Sequence, residues 1–307
     1  MISVIIPTYN PDLHRLERTL TALKNQLLPY KSWELLIIDN NSSVPFAAEI
    51  DLSWHPKSKI ISEPRQGLTY ARMKGFSVAK GSIVVMVDDD NILQNNYLKN
   101  LSAIFKENPK LGAAGGKSLP IFESAHPVWL KEFYGNLALR DLGNNTVINK
   151  WENKYPGYAP IGAGMAIRKI ALKSYINKLN TQTTAISDRT GDSLSSGGDN
   201  DIIIEIAKSG WLTGYFPQLK LEHIIPEERT QSKYLARLVN NTNKSWVQLL
   251  ESHRISPWHA IPLWTVPLRK LKAWVTYKAW ENELNYIRWQ AACGLFDGMA
   301  SINPKHN

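Results

Sequence analysis

The chain has 307 residues, a formal net charge of +9 and a single cysteine, Cys293. One cysteine excludes a disulfide framework and is typical of a reducing compartment. The excess of basic residues favours anionic partners such as nucleotide phosphates or acidic lipid head groups. Nucleic acid is not expected as a partner, because no dense run of Lys and Arg is interleaved with aromatic residues.

The apolar stretches bear on the compartment. The chain enters its first apolar run at once, without the charged region and small-residue cleavage site of a secretory signal. No stretch reaches the ~18 uninterrupted apolar residues that a spanning helix needs. We therefore expect a cytoplasmic protein, with peripheral attachment to the inner face of the cell membrane as the alternative.

The first third of the chain alternates apolar runs of strand length with helical patterns. The runs cover residues 3–6, 34–38, 59–62 and 83–87. A helix after the first run is predicted by leucines that recur at spacings of three and four, Leu13, Leu16, Leu20, Leu23 and Leu27. Further helices are predicted over 68–79 and 93–105. Strands that alternate with helices predict a mostly parallel, doubly wound α/β sheet, which binds ligands at the carboxyl ends of its strands.

Three carboxylates follow the apolar run 83–87. In extended chain Asp88 and Asp90 project to one side and Asp89 to the other. Two carboxylates that close are kept ionised most simply by a cation, and oxygen ligands suit Mg²⁺ or Mn²⁺. The alternative is an acidic turn in which Asp90 or Asn91 caps the helix at 93–105.

Other polar residues follow neighbouring predicted strands and favour the ligand site over the turn. Thr8, Asp39 and Arg65 should gather with the three aspartates at one edge of the sheet. No Gly-x-Gly-x-x-Gly motif or Walker loop follows a strand, so a nicotinamide site and a P-loop are not expected. For Arg65 and Arg72, a solvated position at the start of a helix is the alternative to ligand contact.

The middle of the chain carries fewer signals. The glycine-rich run 111–116 predicts a strand at an edge of the same sheet, where backbones approach closely. The aromatic stretch 121–158 shapes an acceptor side or simply fills the core. Residues 180–196 are polar and aperiodic, which favours a mobile lid.

Four motifs resemble the nucleotide-binding half of glycosyltransferase family 2. They are Ser3-Val4-Ile5-Ile6-Pro7-Thr8-Tyr9-Asn10, Leu36-Ile37-Ile38-Asp39-Asn40-Asn41-Ser42, Gly67 with Ala71-Arg72 and Gly75, and Val87-Asp88-Asp89-Asp90-Asn91. The resemblance covers roughly residues 1–235. It implies a GT-A fold: a doubly wound mixed sheet with a Rossmann-like nucleotide-sugar-binding half over 1–110, an acceptor half over 111–235, and a helical, Trp-rich extension over 236–307.

The resemblance also implies roles for individual residues. A nucleotide-sugar would contact Pro7, Thr8, Tyr9, Asp39, Arg72, Asp88 and Asp89, with the first three and Asp39 at the nucleoside and Asp88 near the ribose or the metal. Asp90 would be the direct ligand of Mn²⁺ or Mg²⁺. His223, after the last strand, would approach the metal or the diphosphate, although a single histidine is as often structural.

The catalytic base is implied at the start of a later helix. The family usually has Glu-Asp-x-Asp or Glu-Asp-x-Glu, whereas this chain has Gly198-Asp199-Asn200-Asp201. The departure at Gly198 leaves Asp199 in place, so we assign Asp199 as the base with Asp201 second. The alternative is that both are first-turn acids beside the helix dipole.

The extension contains six of the eleven tryptophans. We predict a helix over 232–251, a proline-punctuated linker, and one long amphipathic helix after Pro267. Basic residues crowd the start of this helix, which suits a membrane contact through 257–300. Packing on the catalytic domain or on a second subunit, as in a homodimer, is the alternative.

These inferences predict a metal-dependent, inverting glycosyltransferase of the hexosyltransferase type. Its donor would be a nucleotide-sugar, with a UDP-sugar favoured, and its acceptor a hydroxyl of a glycan or lipid-linked saccharide in surface polysaccharide biosynthesis. One rival is a catalytically inactive module that binds nucleotide, glycan or membrane. A second, less favoured rival is a sugar nucleotidyltransferase, which would carry a glycine- and arginine-rich loop after the first strand.

Overall fold

The computed structural model describes residues 1–181 and 197–302. Within them the chain forms two compact units. The first comprises residues 1–121, 138–181 and 199–224, and the second comprises 122–137, 197–198 and 225–302. Across both described ranges, each helix is too short or too polar to cross a bilayer.

The first unit is built on a mixed sheet whose strands follow the predicted apolar runs. They are β1 (Ile2–Thr8), β2 (Trp33–Asp39), β3 (Ser58–Ser62), β4 (Ile83–Met86), β5 (Asn91–Leu93), β6 (Leu111–Phe122), β7 (Val147–Asn149), β8 (Ala166–Arg168) and β9 (Leu212–Ile225). The order in the sheet is β3-β2-β1-β4-β8-β6-β9-β5, and β7 pairs with β9. The first four strands in this order are parallel, whereas β8 runs antiparallel to β4.

The described residues also form nine α-helices, of which α6 to α9 belong to the second unit. They are α1 (Leu13–Lys24), α2 (Leu68–Val78), α3 (Tyr97–Glu107), α4 (Lys173–Thr181), α5 (Gly198–Lys208), α6 (Glu227–Thr230), α7 (Ser232–Ser252), α8 (Val266–Thr276) and α9 (Glu283–Ala300). Successive side chains of a β-strand point to opposite faces of the sheet. Each face of this sheet is buried in its own apolar cluster. In β1, Val4 and Ile6 enter one apolar cluster and Ile5 enters the other.

The structure corrects three predictions about elements. The helix predicted from residue 93 begins only at Tyr97, because Asn91–Leu93 pairs with β9 as a strand. Asp90 and Asn91 therefore do not cap it, and the acidic-turn alternative in that form is wrong. The glycine-rich strand β6 lies between β8 and β9 rather than at an edge. The predicted close approach of backbones is confirmed, because a side chain at Gly116 would collide with the Leu219 carbonyl.

The third correction concerns the extension. The helix predicted over 232–251 is confirmed as α7, but the single long helix after Pro267 is wrong. Two helices, α8 and α9, form instead, with α9 starting at the Asn282 N-cap, whose side chain accepts from the Asn285 N–H. The apolar spacing continues through this break, so periodicity alone could not show it. In the second unit α9 packs against α7 so closely that a side chain at Gly294 would collide with the Asn240 carbonyl.

Candidate active site

The carboxyl ends of the parallel strands bring the first predicted residues together. Thr8 is in register with Asp39, and Asp39 with Ser62, so these strands end level with one another. The Thr8 hydroxyl donates a short hydrogen bond to Asp89. Asp89 therefore points toward the end of β1. Strand β4 ends at Met86 and Asp89 and Asp90 lie in a turn, so the three aspartates do not continue the strand as the alternation argument assumed. Pro7 lies within β1, and the Tyr9 ring beyond it is exposed.

A loop ordered by Asn40 follows β2. The buried Asn40 amide donates to the carbonyls of Glu63 and Arg65, at 3.2 and 2.6 Å, and accepts from the Gly67 N–H at 2.8 Å. These bonds tie the end of β2 to the start of α2. Asn40 belongs to one of the four motifs, but no role was predicted for it. An asparagine directly after a buried strand could have indicated a side chain that bonds to the backbone of the following loop.

Asp39 and Arg65 flank that loop. The Asp39 carboxylate accepts from the Ser42 N–H at 2.9 Å. Arg65 forms two hydrogen bonds with the buried Glu63 carboxylate, at 2.8 and 3.1 Å, and its guanidinium lies over the Tyr70 ring. The pKa of Glu63 is lowered chiefly by its hydrogen bond with Arg65. Arg65 is thus an ion-pair partner on the surface of this loop.

The acidic trio meets His223 where β5 pairs with β9. Asn91 is in register with His223, and the Ile224 N–H donates to the Asp90 carbonyl. This pairing places His223 Nε2 3.3 Å from Asp90 Oδ2. Both side chains are more than nine-tenths buried. His223 lies inside β9 and not after the last strand, so that detail of the prediction is wrong, but its closeness to Asp90 agrees with the inferred role.

Asp88 completes the acidic cluster. Burial raises the pKa of its carboxyl, and the neighbouring Asp90 charge raises it further, while Arg72 and His223 oppose the shift. Asp90 and His223 are a buried pair whose atoms can ligate a divalent cation, and the half-buried Asp88 interacts electrostatically with both. The cost of the two adjacent negative charges is the observation that fits such an ion, because a cation would relieve it.

The base candidate Asp199 lies in the first turn of α5. Its Oδ1 atom is 2.6 Å from the Arg72 guanidinium, which is buried on α2. About a third of the Asp199 side chain stays exposed, with 31% accessible. A side chain at Gly162 would collide with the Asp199 carboxylate. The small residue of the segment 161–168 therefore leaves the room that Asp199 occupies.

Asp201, two residues further along α5, has a different environment. Only 3% of its side chain is accessible, and Lys178 Nζ lies 2.5 Å from its carboxylate. Lys178 also lies 3.4 Å from Glu205. The first-turn placement that we weighed as an alternative is thus correct for both acids, but only Asp199 presents an accessible oxygen. The lysine, which sequence reasoning missed, carried no local signal, because α4 and α5 meet only in three dimensions.

Tyr155, from the aromatic stretch 121–158, packs beside this turn. Its hydroxyl lies 2.5 Å from the Asn200 side chain, and burial raises its pKa. The charge of Asp199 adds to that shift, which places the two groups near each other. The lid predicted over 180–196 falls, from residue 182 onward, outside the described residues.

The family model for glycosyl transferase family 2 matches residues 3–175, more than half of the chain. The chain belongs to glycosyl transferase family 2. The resemblance inferred from the four motifs is therefore confirmed, and the protein is a glycosyltransferase by family.

Curated relatives of this family 2 member include three that cover most of its length. A glucosyl-dolichyl phosphate glucuronosyltransferase of Haloferax volcanii is 23% identical over 76% of this chain and 72% of its own. The poly(ribitol-phosphate) β-N-acetylglucosaminyltransferase TarP of Staphylococcus aureus is 26% identical over 63% of this chain and 55% of its own. An inactive polypeptide N-acetylgalactosaminyltransferase-like protein 5 of Macaca fascicularis is 24% identical over 81% and 56%. The chain thus spans little more than half of the last two.

Solved structures agree on the fold. S. aureus TarS 1–349 in complex with UDP-GlcNAc superimposes with a TM-score of 0.55 at 15% identity, over 97% of this chain and 90% of that one. The predicted GT-A fold, with helices following the catalytic core, is confirmed.

Proposed function

We propose that this family 2 glycosyltransferase moves a sugar from a nucleotide-diphosphate donor to an acceptor hydroxyl with inversion at the anomeric carbon. The observation that carries the proposal is the contact between Arg72 and Asp199. It joins a partly exposed carboxylate to the buried cluster of Asp88, Asp90 and His223. A base next to a cation-suited acidic cluster is what an inverting transfer requires.

The nucleoside end of the donor is proposed to lie at the carboxyl ends of β1 and β2. Pro7 and Thr8 would shape the floor there, the exposed Tyr9 ring is available for stacking on the base, and the free oxygen of Asp39 for accepting from it. The hydrogen bond from the Thr8 hydroxyl would hold the Asp89 carboxylate where the ribose of the donor is proposed to bind. The proposed domains are the donor half over 1–110, the acceptor half over 111–235 and the extension over 236–307.

Asp90 and His223 would hold a Mn²⁺ or Mg²⁺ ion, with Asp88 beside it. When bound, such an ion neutralises charge on the departing nucleotide diphosphate. Asp90 is held for this role, since its Oδ1 accepts from the Asn91 amide at 3.0 Å while Oδ2 faces His223. Arg72 supplies a fixed positive charge between the cluster and the base, where the diphosphate develops charge as the sugar leaves.

Asp199 is proposed to accept the proton of the attacking hydroxyl. The guanidinium of Arg72 fixes one carboxylate oxygen, and Gly162 leaves space beside the other. Asp201 is disfavoured as the base, because its carboxylate is enclosed with Lys178. The accessible part of the Asp199 side chain is where the acceptor hydroxyl would approach.

A UDP-sugar is the favoured donor, and UDP-GlcNAc is the first to test because TarS was crystallised with it. The acceptor is proposed to be a glycan or a lipid-linked saccharide in surface polysaccharide synthesis, since one relative acts on a dolichyl phosphate and another on poly(ribitol-phosphate). A cytoplasmic position at the inner membrane face, with contact through 257–300, completes the proposal, and packing of that segment in a homodimer is the alternative to membrane contact.

The test is calorimetric titration of UDP, GDP and dTDP with and without Mn²⁺. We expect one nucleotide to bind more tightly with the ion, and Asp90→Ala to remove the gain. Asp51→Ala is the matched control, because Asp51 is an exposed acid of the same unit, bonded to the Ser53 N–H. Absence of metal-linked binding for all three nucleotides would refute the donor site.

A catalytically inactive binding module is the second candidate. It is favoured by Gly198 in place of the usual glutamate and by the similarity to an inactive relative. Release of UDP from UDP-sugars, measured with a panel of lipid-linked and soluble saccharides, separates the two. Nucleotide binding without turnover on every acceptor would favour the inactive module.

A further inference from the structure

The outward face of α8 is apolar, the reverse of an ordinary surface helix. Leu268, Leu271 and Val275 recur at spacings of three and four, which places them on one stripe of the helix. Their exposed fractions are 62%, 61% and 57%. Surface helices normally turn polar residues outward and apolar residues inward. Three large aliphatic groups on the outward stripe therefore point to a partner.

The stripe continues at both ends of α8. Leu263 and Trp264 in the preceding turn are each 74% exposed, and Trp280 after the helix is 56% exposed. Together Leu263, Trp264, Leu268, Leu271, Val275 and Trp280 form what we call the α8 patch. Several large apolar groups exposed within one short segment are typical of an interaction site.

The opposite face holds α8 in place within the second unit. Val266 and Ala273 are buried, and Lys270 pairs with Asp297 of α9 at 2.8 Å. The Trp289 indole donates to the Lys270 carbonyl at 3.0 Å, and the Trp274 ring packs edge to face against the Trp289 ring. The α8 patch is thus presented by a helix anchored on α9.

The charge of this segment selects the partner. Residues 263–280 contain four basic residues and no acidic residue; Lys270 and Lys278 pair with Asp297 and Glu281, and the other two are Arg269 and Lys272. Arg269 and Lys272 are exposed along one flank of the apolar stripe. Two copies of this chain that met patch to patch would bring these like charges together, which disfavours a self-association. An anionic lipid surface matches both the charge and the apolar stripe.

We infer that the α8 patch inserts into the interface of an anionic bilayer, with Arg269 and Lys272 at the head groups. This inference deepens the membrane contact named under the proposed function and rests on it for the lipid-linked acceptor. Indole rings suit this depth, since they combine an apolar body with a polar N–H. Binding would bring the chain to the surface that carries lipid-linked acceptors.

The experiment is flotation of the full chain with vesicles of phosphatidylcholine alone and with about one-third phosphatidylglycerol. We expect binding to the anionic vesicles, and a loss of about tenfold or more in the partition coefficient for L268S/L271S/V275S. The matched control L27S/V128S/L142S removes two leucines and a valine that are exposed elsewhere, and should bind as the native chain does. R269Q/K272Q should weaken binding to anionic vesicles and leave any residual neutral binding unchanged.

Three readouts keep the inference falsifiable. Circular dichroism and thermal unfolding should show the patch variant folded as the native chain is, because the changed side chains are exposed. Equal vesicle binding by the patch variant and the native chain would overturn the inference. A second result would also overturn the inference: the native chain forms a dimer in sedimentation velocity and does not bind vesicles, and the patch variant does not form that dimer.

Nucleotide titration of the same variants separates this inference from the proposed function. If the native chain floats with anionic vesicles but binds no nucleotide, the donor site fails and the α8 patch stands. If the native chain binds nucleotide but does not float with vesicles, the inference about the α8 patch fails and the donor site stands. The patch variant should bind nucleotide as the native chain does, because α8 carries none of the proposed donor residues.

Discussion

The two units of this chain depart from ordinary burial in opposite directions. The first buries charge: the side chains of Asp90, Arg72 and Asp201 are each less than a tenth exposed. The second exposes large apolar groups, with Leu263 and Trp264 both 74% accessible. Buried charge is costly unless it is paired, and exposed apolar surface is costly unless a partner covers it. The first unit pairs its buried charges within the chain, as Arg72 does with Asp199 and Asp201 with Lys178, whereas the apolar groups of the second stay accessible.

The largest effect is expected at the accessible acid of the first unit. Asp199→Asn keeps the shape of the side chain but removes a proton acceptor, so turnover should fall by about a thousandfold, within the usual range for a general base. Nucleotide binding should change little. Paired kcat and Kd measurements check this, and near-native turnover would show that Asp199 is not the base.

Asp201→Asn sharpens the contrast between the two acids of α5. It removes the carboxylate charge that pairs with Lys178, and loss of one member of a buried pair typically costs about 3 kcal/mol of unfolding free energy. Urea unfolding measures the change. If instead the variant is stable and loses turnover as Asp199→Asn does, the assignment of the base to Asp199 is wrong.

A buried histidine of the first unit gives a pH-dependent test. Burial lowers the pKa of His55 to about 4, among the rings of Trp33 and Tyr30 at 4.1 and 5.1 Å. Its Nδ1 accepts from the Lys57 N–H, a bond that the protonated ring cannot accept. Between pH 6.5 and 4 His55 is protonated in the unfolded chain but stays neutral in the folded chain. The unfolding free energy therefore falls as the pH falls, by up to about 3 kcal/mol.

Thermal unfolding of the native chain and of His55→Gln across this window measures the contribution. The variant should lose less stability than the native chain between pH 6.5 and 4. Parallel slopes would show that other groups, and not His55, carry the acid sensitivity.

The smallest effect is expected on the α8 patch. Leu271→Ala removes apolar atoms that are already in water, so the unfolding free energy should change by less than about 0.5 kcal/mol. Ile287→Ala on α9, whose side chain is fully buried, should cost about 2 to 5 kcal/mol. Chemical unfolding of both variants tests the comparison; a large loss for Leu271→Ala would mean that the residue is covered and not exposed.

Much of the first unit could be predicted because its signals are local. Apolar runs of strand length fixed β1, β2 and β4, and the polar residues at their ends meet because parallel strands end at one edge. The resemblance implied that His223 approaches the metal site of Asp90, but the register of β9 against the short strand β5, which brings the two side chains together, could not be predicted. The break between α8 and α9 escaped for a related reason, because the apolar spacing runs on across it.

By itself, then, the sequence determined the alternation of strands and helices, the acidic trio, and membership of glycosyl transferase family 2. Each of these depends on short local runs of residues and not on contacts between distant segments. Tertiary structure alone decided which acid of α5 stays accessible, because Lys178 and Gly162 reach the two aspartates from other segments. It also decided which face of α8 is covered. Periodicity shows that a helix has an apolar stripe, but only packing against α9 shows that this stripe faces outward.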